Sequence, residues 1–423
     1  MGFAEQPDVK PGRANPGRIA AARVLVDVEA GDHAEELLAS RAPQQADDRG
    51  LAWHLVLGVL RGRARVDAAL RQVVSRPIGE LDPPVRAVLR MGAFEALVGG
   101  TPRHAVVDQA VEVARVLGAG RASGLVNAAL RRVALPNDLS RADALDHPAW
   151  LVARWDARYG EAATTAWCKA NGEPPPLVLA VRGTESVFAE QLLEGGVGTS
   201  PARAGGEVVP GLLRVEGRVG RVEALPGFAE GAFWVQDAAS AWMADLVPES
   251  AENVIDACAA PGGKTFRLIS KGHKVLAVDG SEERLNKVRD SLRRLRMEAT
   301  VRPHDWLTGR LLAVGEVDAV LVDAPCTALG VLRRHPEIRW RRSPLDPKGA
   351  AVRQFAILAA SSQHVRSGGA LVYAVCSPEP EEGPQVVQRF LKENPEFTLD
   401  VERTTAPPQH DEDAFYGARM VRR

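Results

Sequence analysis

The chain has 423 residues, of which 45% are hydrophobic and 25% charged, with 39 glycines and 29 prolines. This composition excludes disordered and fibrous proteins and predicts a folded protein of two or three domains. The formal net charge of -1 excludes a strong overall field for polyanions, so any nucleic-acid partner must bind local basic patches.

The N-terminus and the cysteines restrict the compartment and the chemistry. Residues 1–17 contain no apolar stretch of signal-peptide length, and no later run reaches the roughly 20 apolar residues of a membrane span. The four cysteines, Cys168, Cys258, Cys326 and Cys376, are too few and too widely spread for a disulfide framework, and none forms a CxxC pair. We therefore expect a cytoplasmic protein with reduced thiols, no membrane segment and no metal.

The first predicted domain is helical. From Gly17 to Val133 nearly every segment, such as LAWHLVLGVLRGRARVDAALRQVV, places apolar residues at three- and four-residue spacing. This spacing predicts an all-α domain over residues 15–140. The stretch at 135–148 loses the spacing and gathers proline, asparagine and aspartate, which is typical of a linker between domains.

Two further regions follow the linker. Residues 147–232 begin with a helical pattern and continue with β-like runs, which predicts a small α+β module. Residues 233–423 alternate strands with helices, which predicts an α/β domain with a doubly wound, largely parallel, Rossmann-like sheet. Because ligands bind beyond the carboxyl ends of such strands, the residues that end each strand are the candidates for function.

The loop after the first strand of this domain is rich in glycine. Gly262 and Gly263 allow the backbone to approach a ligand closely and leave free amides at the start of the next helix. A P-loop ATPase is the competing interpretation, because Gly-Lys-Thr at 263–265 resembles the end of that motif. The motif requires a glycine where this chain has Cys258, and Pro261 restricts the loop further, so the spacing argues against it.

The second strand ends at Asp279, which is placed to accept hydrogen bonds from both hydroxyls of a ribose. This position alone does not separate NAD from S-adenosylmethionine. A helix N-cap is an equal alternative, because Ser-Glu-Glu-Arg follows.

Two thiols separate the remaining possibilities. Cys326 and Cys376 each follow a strand in the same half of the sheet, where a dehydrogenase has no use for them, although isolated cysteines are often core residues. Carbon 5 of cytosine becomes nucleophilic when a thiolate adds to carbon 6, and a base must later remove the carbon-5 proton. Two cysteines would serve these steps, and residue chemistry leaves their roles interchangeable.

The motifs DACAAPGGKT (256–265), LVDAPCTALGVLRRHPEIRW (321–340) and LVYAVCSPEPEE (371–382) together resemble the RsmB (Fmu, Sun) branch of bacterial RNA cytosine-5 methyltransferases. The helical part, with LVLGVLRGRARVD and GLVNAALRRV, resembles the NusB-like RNA-binding domain of that family. The resemblance extends over essentially the whole chain. It implies a class I methyltransferase fold, S-adenosylmethionine as cofactor, and RNA, most specifically 16S rRNA, as partner of a monomer.

The resemblance also implies roles for residues. Cys376 is expected to be the nucleophile, Cys326 to assist product release, and Asp323 to face the target base and the amino group of the cofactor. Asp279 is expected to bind ribose and Asp305 to lie by the adenine. The methionine and ribose side of the cofactor is expected to contact Cys258, Ala259, Ala260, Pro261, Gly262, Gly263 and Lys264. RNA is expected to contact Arg333, Arg334 and His335. Transfer RNA as substrate, and a non-catalytic RNA-binding assembly factor, are the alternatives.

The chain departs from the family pattern at a few positions. Thr327 replaces the usual serine after Pro-Cys, and Val375 replaces the usual threonine before Cys-Ser, and neither change removes a reacting atom. In the α+β module, Ala180 and Arg182 stand where relatives tend to have arginine and asparagine.

Overall fold

A computed structural model describes residues 14–98, 100–217, 219–309, 312–408 and 412–423. The segment 1–13, on which the expected absence of a signal peptide partly depends, lies outside the described residues.

The helices and strands follow in chain order. The helices are α1 Pro16–Ala30, α2 Ala34–Arg41, α3 Ala46–Arg61, α4 Arg63–Arg71, α5 Pro83–Val98, α6 Arg103–Val116, α7 Ser123–Arg132, α8 Arg141–Ala144, α9 Ala149–Tyr159, α10 Glu161–Ala170, α11 Glu185–Glu194, α12 Ala238–Ala244, α13 Gly263–Ser270, α14 Glu282–Leu295, α15 Ile338–Arg341, α16 Asp346–Ser362 and α17 Pro384–Glu393. The strands are β1 Val178–Val181, β2 Thr199–Ala204, β3 Glu207–Val215, β4 Phe233–Val235, β5 Asn253–Asp256, β6 Lys274–Asp279, β7 Thr300–Pro303, β8 Val317–Asp323, β9 Val365–Val375, β10 Phe397–Thr404 and β11 Tyr416–Arg422.

The first of two compact units contains the described residues up to Glu173 together with Leu332–Arg341. Its elements are helical, so the predicted all-α N-terminal domain is confirmed. Helix α5 packs against α1, α3, α4, α6 and α7 and buries most of its length, including Val88, Leu89 and Met91. The three- and four-residue spacing of its apolar side chains produces this contact on several sides.

The second unit contains Pro174–Val331 and the described part of Arg342–Arg423. Its smaller sheet is antiparallel with strand order β2-β3-β1-β4. Strand β4 pairs with β1, so this sheet continues past residue 232, where the sequence analysis ended the α+β module. Helices α9 and α10, assigned there to the same module, belong to the first unit. The domain boundaries themselves stay predictions.

The larger sheet has the strand order β10-β11-β9-β8-β5-β6-β7. Strands β5 to β9 pair in parallel, and among the described strands β11 alone runs opposite to the rest. Alternate residues of β8 and β9 enter two different cores, one under α12, α13 and α14 and the other under α16 and α17. Helices therefore cover both faces of this sheet, and its central strands are apolar throughout, as such burial requires. This arrangement confirms the predicted α/β fold.

Candidate active site

The parallel strands β5, β6, β8 and β9 end at Asp256, Asp279, Asp323 and Val375. Because they run in the same direction, their carboxyl ends share one edge of the sheet. The predicted cofactor and cysteine residues of this domain lie in the segments that follow these ends.

The two cysteines of these segments lie side by side. Sγ of Cys326 is 3.3 Å from Sγ of Cys376, and both are free thiols that are partly buried. The hydrogen bond to Cys376, and then burial, raise the pKa of Cys326 well above its ordinary value. Cys326 is therefore protonated near neutral pH, and its thiol can donate a hydrogen bond to the sulfur of Cys376.

The Gly-rich loop leads into helix α13. Gly262 has a φ of +116°, and a Cβ there would lie 2.3 Å from the ring of Phe266, so this backbone position requires glycine. The loop is fixed to the neighbouring strand, because the amide of Ala259 donates to the carbonyl of Val278 at 2.8 Å. The first amides of α13 have no partner within the helix itself and suit a carboxylate.

Asp279 is buried and already accepts two backbone hydrogen bonds. Its Oδ2 accepts from the amide of Ala260 at 3.2 Å and its Oδ1 from the amide of Ser281 at 3.0 Å. Each carboxylate oxygen has a second lone pair. The helix N-cap alternative is wrong, because Ser281 caps α14 with its Oγ, which accepts from the amide of Arg284 at 3.3 Å. Asp279 fixes the loop and retains acceptor capacity for a ribose diol.

Lys264 connects the loop to the end of β8. Its amine donates to Oδ2 of Asp323 at 2.7 Å and to Oγ of Ser240 at 3.0 Å, and it lies 5.1 Å from the centre of the Phe415 ring. The lysine is 7% exposed and the aspartate 32%, so the carboxylate is the more accessible partner. A nucleoside cofactor that carries an amino acid fits this arrangement, which combines a glycine turn with Asp279 at the end of β6 and Asp323 at the end of β8.

Comparison with known proteins agrees with this geometry. Residues 243–421 match the family described as 16S rRNA methyltransferase RsmB/F, residues 15–135 the NusB family, and residues 147–207 the ferredoxin-like domain of RsmF/B-like methyltransferases. The chain is 35% identical to Ribosomal RNA small subunit methyltransferase B of Citrobacter koseri, over 97% of this chain and 100% of that protein. The chain belongs to the RsmB/F methyltransferase family.

This membership confirms the resemblance and makes the chain an RNA methyltransferase with S-adenosylmethionine as its methyl donor. Two solved structures show the same fold. PH0851 covers 96% of this chain and 99% of its own, with a TM-score of 0.83 and 23% identity. A methyltransferase homologue from Pyrococcus horikoshii covers 67% of this chain and 100% of its own, with a TM-score of 0.57 and 24% identity.

Asp305, expected beside the adenine in an RsmB/F methyltransferase, lies after β7 and is exposed. Its Oδ1 accepts from the amide of Leu307 at 2.9 Å and so starts the short 3-10 helix Trp306–Thr308. The indole of Trp306 in turn donates to the carbonyl of Ala257 at 2.7 Å. The structure thus fixes Asp305 beside the first strand end, and its contact with adenine stays a prediction.

Asp256 is a buried acid that the sequence analysis left without a role. Its Oδ2 accepts from Oγ1 of Thr265 at 2.6 Å, and burial raises its pKa from the ordinary 3.8 to about 7. Burial likewise raises the pKa of Cys258, two residues further on, well above its usual range. Cys258 is thus a protonated thiol in the Gly-rich loop. The position of Asp256 as the last residue of β5 is the signal in the sequence that could have identified it as a candidate site residue.

The basic segment at 332–341 lies in the first unit. Arg339 is fully buried and donates to the carbonyls of Asp146, Asn171 and Leu332, at 3.2, 3.1 and 3.0 Å respectively. The indole of Trp340 donates to the carbonyl of Leu60 at 2.7 Å. Part of this basic segment therefore makes hydrogen bonds within the protein and is not available to a ligand.

The three residues expected to contact RNA, Arg333, Arg334 and His335, are partly buried. Nε of Arg333 donates to the carbonyl of Glu173 at 3.3 Å, and Nδ1 of His335 lies 3.9 Å from Oε1 of Glu337. Their contact with RNA stays a prediction.

Among the described helices, none combines the length and apolar content needed to cross a membrane. Across the residues that the structure describes, no three His, Cys, Asp or Glu side chains are grouped as ligands for a metal ion.

Proposed function

We propose that this protein methylates carbon 5 of a cytosine in RNA through a covalent bond between Cys376 and the base. The observation that carries the proposal is the 3.3 Å separation of the Cys326 and Cys376 sulfurs beyond two adjacent parallel strands. S-adenosylmethionine supplies an electrophilic methyl group when it is bound. The residues that would hold it are Asp279, Asp305, Asp323 and the loop from Cys258 to Lys264.

Cys376 makes the base reactive. Its thiolate adds to carbon 6 of the cytosine, and the electron pair of the 5,6 double bond then makes carbon 5 nucleophilic. The target base must leave its stack to reach a sulfur at a strand end, as in other enzymes that react with a base. Asp323, the more exposed partner of Lys264, is assigned to the ring nitrogen or the amino group, where it stabilises the electron-rich adduct.

Cys326 completes the proton balance. Its pKa is raised first by the hydrogen bond to Cys376. When the Cys376 sulfur binds carbon 6, it becomes a thioether and a weak acceptor, so the pKa of Cys326 falls. Cys326 then loses its proton to water and, as a thiolate, removes the carbon-5 proton of the methylated base. The bond from carbon 6 to the Cys376 sulfur breaks, and this sulfur leaves as a thiolate.

The proposed substrate is 16S rRNA. The relatives of similar length are named Ribosomal RNA small subunit methyltransferase B, which supports this choice over transfer RNA. Arg333, Arg334 and His335 are the proposed RNA contacts. The protein is proposed to act in the cytoplasm as a monomer.

The test is transfer of tritiated methyl from S-adenosylmethionine to unmodified 16S rRNA and to transfer RNA, followed by nucleoside analysis. We expect 5-methylcytidine in 16S rRNA with the unaltered protein and none with Cys376→Ala. Cys168→Ala is the matched control, because Cys168 lies in the first unit, and it should retain activity. Label in transfer RNA alone would overturn the substrate, and normal turnover by Cys376→Ala would overturn the mechanism.

A further inference from the structure

A fully buried carboxylate, that of Glu382, lies behind the two cysteines. Its Oε1 accepts from the amide of Thr327 at 2.7 Å and from Nε2 of Gln354 at 3.0 Å. Its Oε2 accepts from Oγ of Ser377 at 2.5 Å and from Oγ1 of Thr327. Four donors on two oxygens match the acceptor capacity of an ionised carboxylate.

The donors come from both cysteine-bearing segments. Thr327 directly follows Cys326, and Ser377 directly follows Cys376. One carboxylate therefore binds the neighbour of each reacting thiol. The two hydroxyls also lie 3.3 Å from each other, which brings the two segments together a second time.

The carboxylate is itself held in place by neighbouring elements. Nε2 of Gln354 on α16 also donates to the carbonyl of Pro325, at 3.2 Å, just before Cys326. The buried hydroxyl of Tyr373 on β9 donates to the main-chain carbonyl of Glu382 at 2.5 Å. The segment around Cys326 is therefore fixed on both sides of the thiol, and the acceptor that fixes it is anchored to β9.

Charge adds to geometry at this position. Burial raises the pKa of Glu382, while the hydrogen bonds from Ser377 and Thr327 oppose this effect. The negative charge of Glu382 is also one of the causes that raise the pKa of Cys326. A neutral group of the same shape would keep the packing, but it would weaken the hydrogen bonds from Ser377 and Thr327 and the effect on the pKa of Cys326.

We propose that Glu382 is a positioning residue for methyl transfer, whose ionised carboxylate fixes the segments after Cys326 and Cys376 and so sets the spacing of the two sulfurs. This inference rests on the proposed function for its catalytic consequence only. The spacing itself can be measured without RNA or cofactor.

The spacing is measured by disulfide formation with diamide. The two thiols lose two protons and two electrons as the sulfur–sulfur bond forms, and diamide is reduced to its hydrazine. Mass spectrometry of the Cys326–Cys376 peptides gives the rate. Sulfurs held 3.3 Å apart need little movement to bond at the roughly 2.05 Å of a disulfide.

For Glu382→Gln, we expect the loss of positioning to outweigh the lower pKa of Cys326 that follows from loss of the charge. Disulfide formation should slow at least tenfold and kcat fall by a similar factor, with the KM for S-adenosylmethionine within twofold of the unaltered protein. A general loss of structure would change KM as well. Glu393→Gln is the matched control, because the same substitution at an exposed residue of α17 should change neither rate.

Ser377→Ala is the second variant, in case Glu382→Gln does not fold. It removes one donor and should slow both rates about threefold to tenfold, whereas Ser377→Thr keeps the hydroxyl and should restore them. Unchanged disulfide formation in Glu382→Gln, or in Ser377→Ala where Glu382→Gln does not fold, would overturn the inference. If disulfide formation slows as expected but even the unaltered protein methylates no RNA, the proposed function fails and the positioning role stands.

Discussion

The amine of Lys264 lies 2.7 Å from Oδ2 of Asp323, and this ion pair joins the Gly-rich loop to the end of β8. The lysine is almost fully buried and the aspartate about one-third exposed. A buried ammonium group is tolerated when its charge is compensated and its donors are satisfied. Here the compensation comes from Asp323, which the proposed function also assigns to the target base, so under that proposal stability and catalysis depend on the same carboxylate.

Asp323→Asn should therefore destabilise the fold. The amide leaves the buried Lys264 without its counter-charge, and we expect the free energy of unfolding to fall by about 1–3 kcal/mol, less than for a fully buried pair because Asp323 is partly exposed. Urea denaturation measures the change. Glu252→Gln is the control, because Glu252 pairs with Lys274 at 2.6 Å where both are exposed, and it should have a much smaller effect on the free energy of unfolding. Equal effects of the two substitutions would contradict the prediction.

Asp256→Asn should stabilise the protein at high pH. Burial raises the pKa of Asp256 from 3.8 to about 7, so the folded protein binds this proton more tightly than the unfolded chain. The resulting stability is present below about pH 4 and is lost as the pH rises through about 7. Asparagine does not ionise and can still accept from Thr265. Its advantage should grow by about 2 kcal/mol between pH 5.5 and pH 8, measured by urea denaturation.

Asp318→Asn is the control with the opposite sign. Backbone hydrogen bonds from Asn253, together with Arg366, lower the pKa of Asp318 to about 2. The stability from Asp318 is lost only as the pH falls toward that value, so its substitution should destabilise by the same amount at pH 5.5 and pH 8. A pH-independent effect of Asp256→Asn as well would contradict the shifted pKa.

The residues at the strand ends could be predicted from the sequence, whereas the contacts of Glu382 behind the two cysteines could not. Alternating strands and helices predict a parallel sheet, and a parallel sheet brings the segments with Asp279, Cys326 and Cys376 to one edge. Glu382 stands in an acidic run, SPEPEE, that looks like a solvated loop. Its burial depends on donors from Thr327 and Gln354, which are 55 and 28 residues away in the chain. No local pattern encodes such a pairing.

Arg339 gives the converse case. Five arginines and one acid at 331–342 predict a basic surface patch. Arg339, however, is buried, and its guanidinium group donates hydrogen bonds to three main-chain carbonyls. Burial lowers its pKa to about 10, still high enough for the side chain to remain charged near neutral pH. Composition identifies the charge, but only the tertiary fold decides which guanidinium groups are exposed.

Gly330→Ala should disturb Cys376 directly. The amide of Gly330 donates to the carbonyl of Cys376 at 3.0 Å, and a Cβ at residue 330 would lie 1.9 Å from the carbonyl oxygen of Ala414. Because the obstructing atoms are backbone, the loop segments around Gly330 and Ala414 must move, at a cost of about 1–3 kcal/mol. We expect kcat to fall at least tenfold, since small displacements of reacting groups are costly. Gly349→Ala, where nothing lies within 4 Å, should leave activity unchanged.

Cys326→Ala should trap the reaction at the covalent stage. Cys376 still adds to the base, but the group assigned to remove the carbon-5 proton is absent, so the bond from carbon 6 to sulfur persists. We expect a slower protein band on a denaturing gel after incubation with RNA and S-adenosylmethionine, together with loss of turnover. The double variant Cys326→Ala/Cys376→Ala should give no such band, because its nucleophile is missing as well. Turnover by Cys326→Ala at the normal rate, without a shifted band, would assign the proton transfer to another group and leave the 3.3 Å contact with a positioning role only.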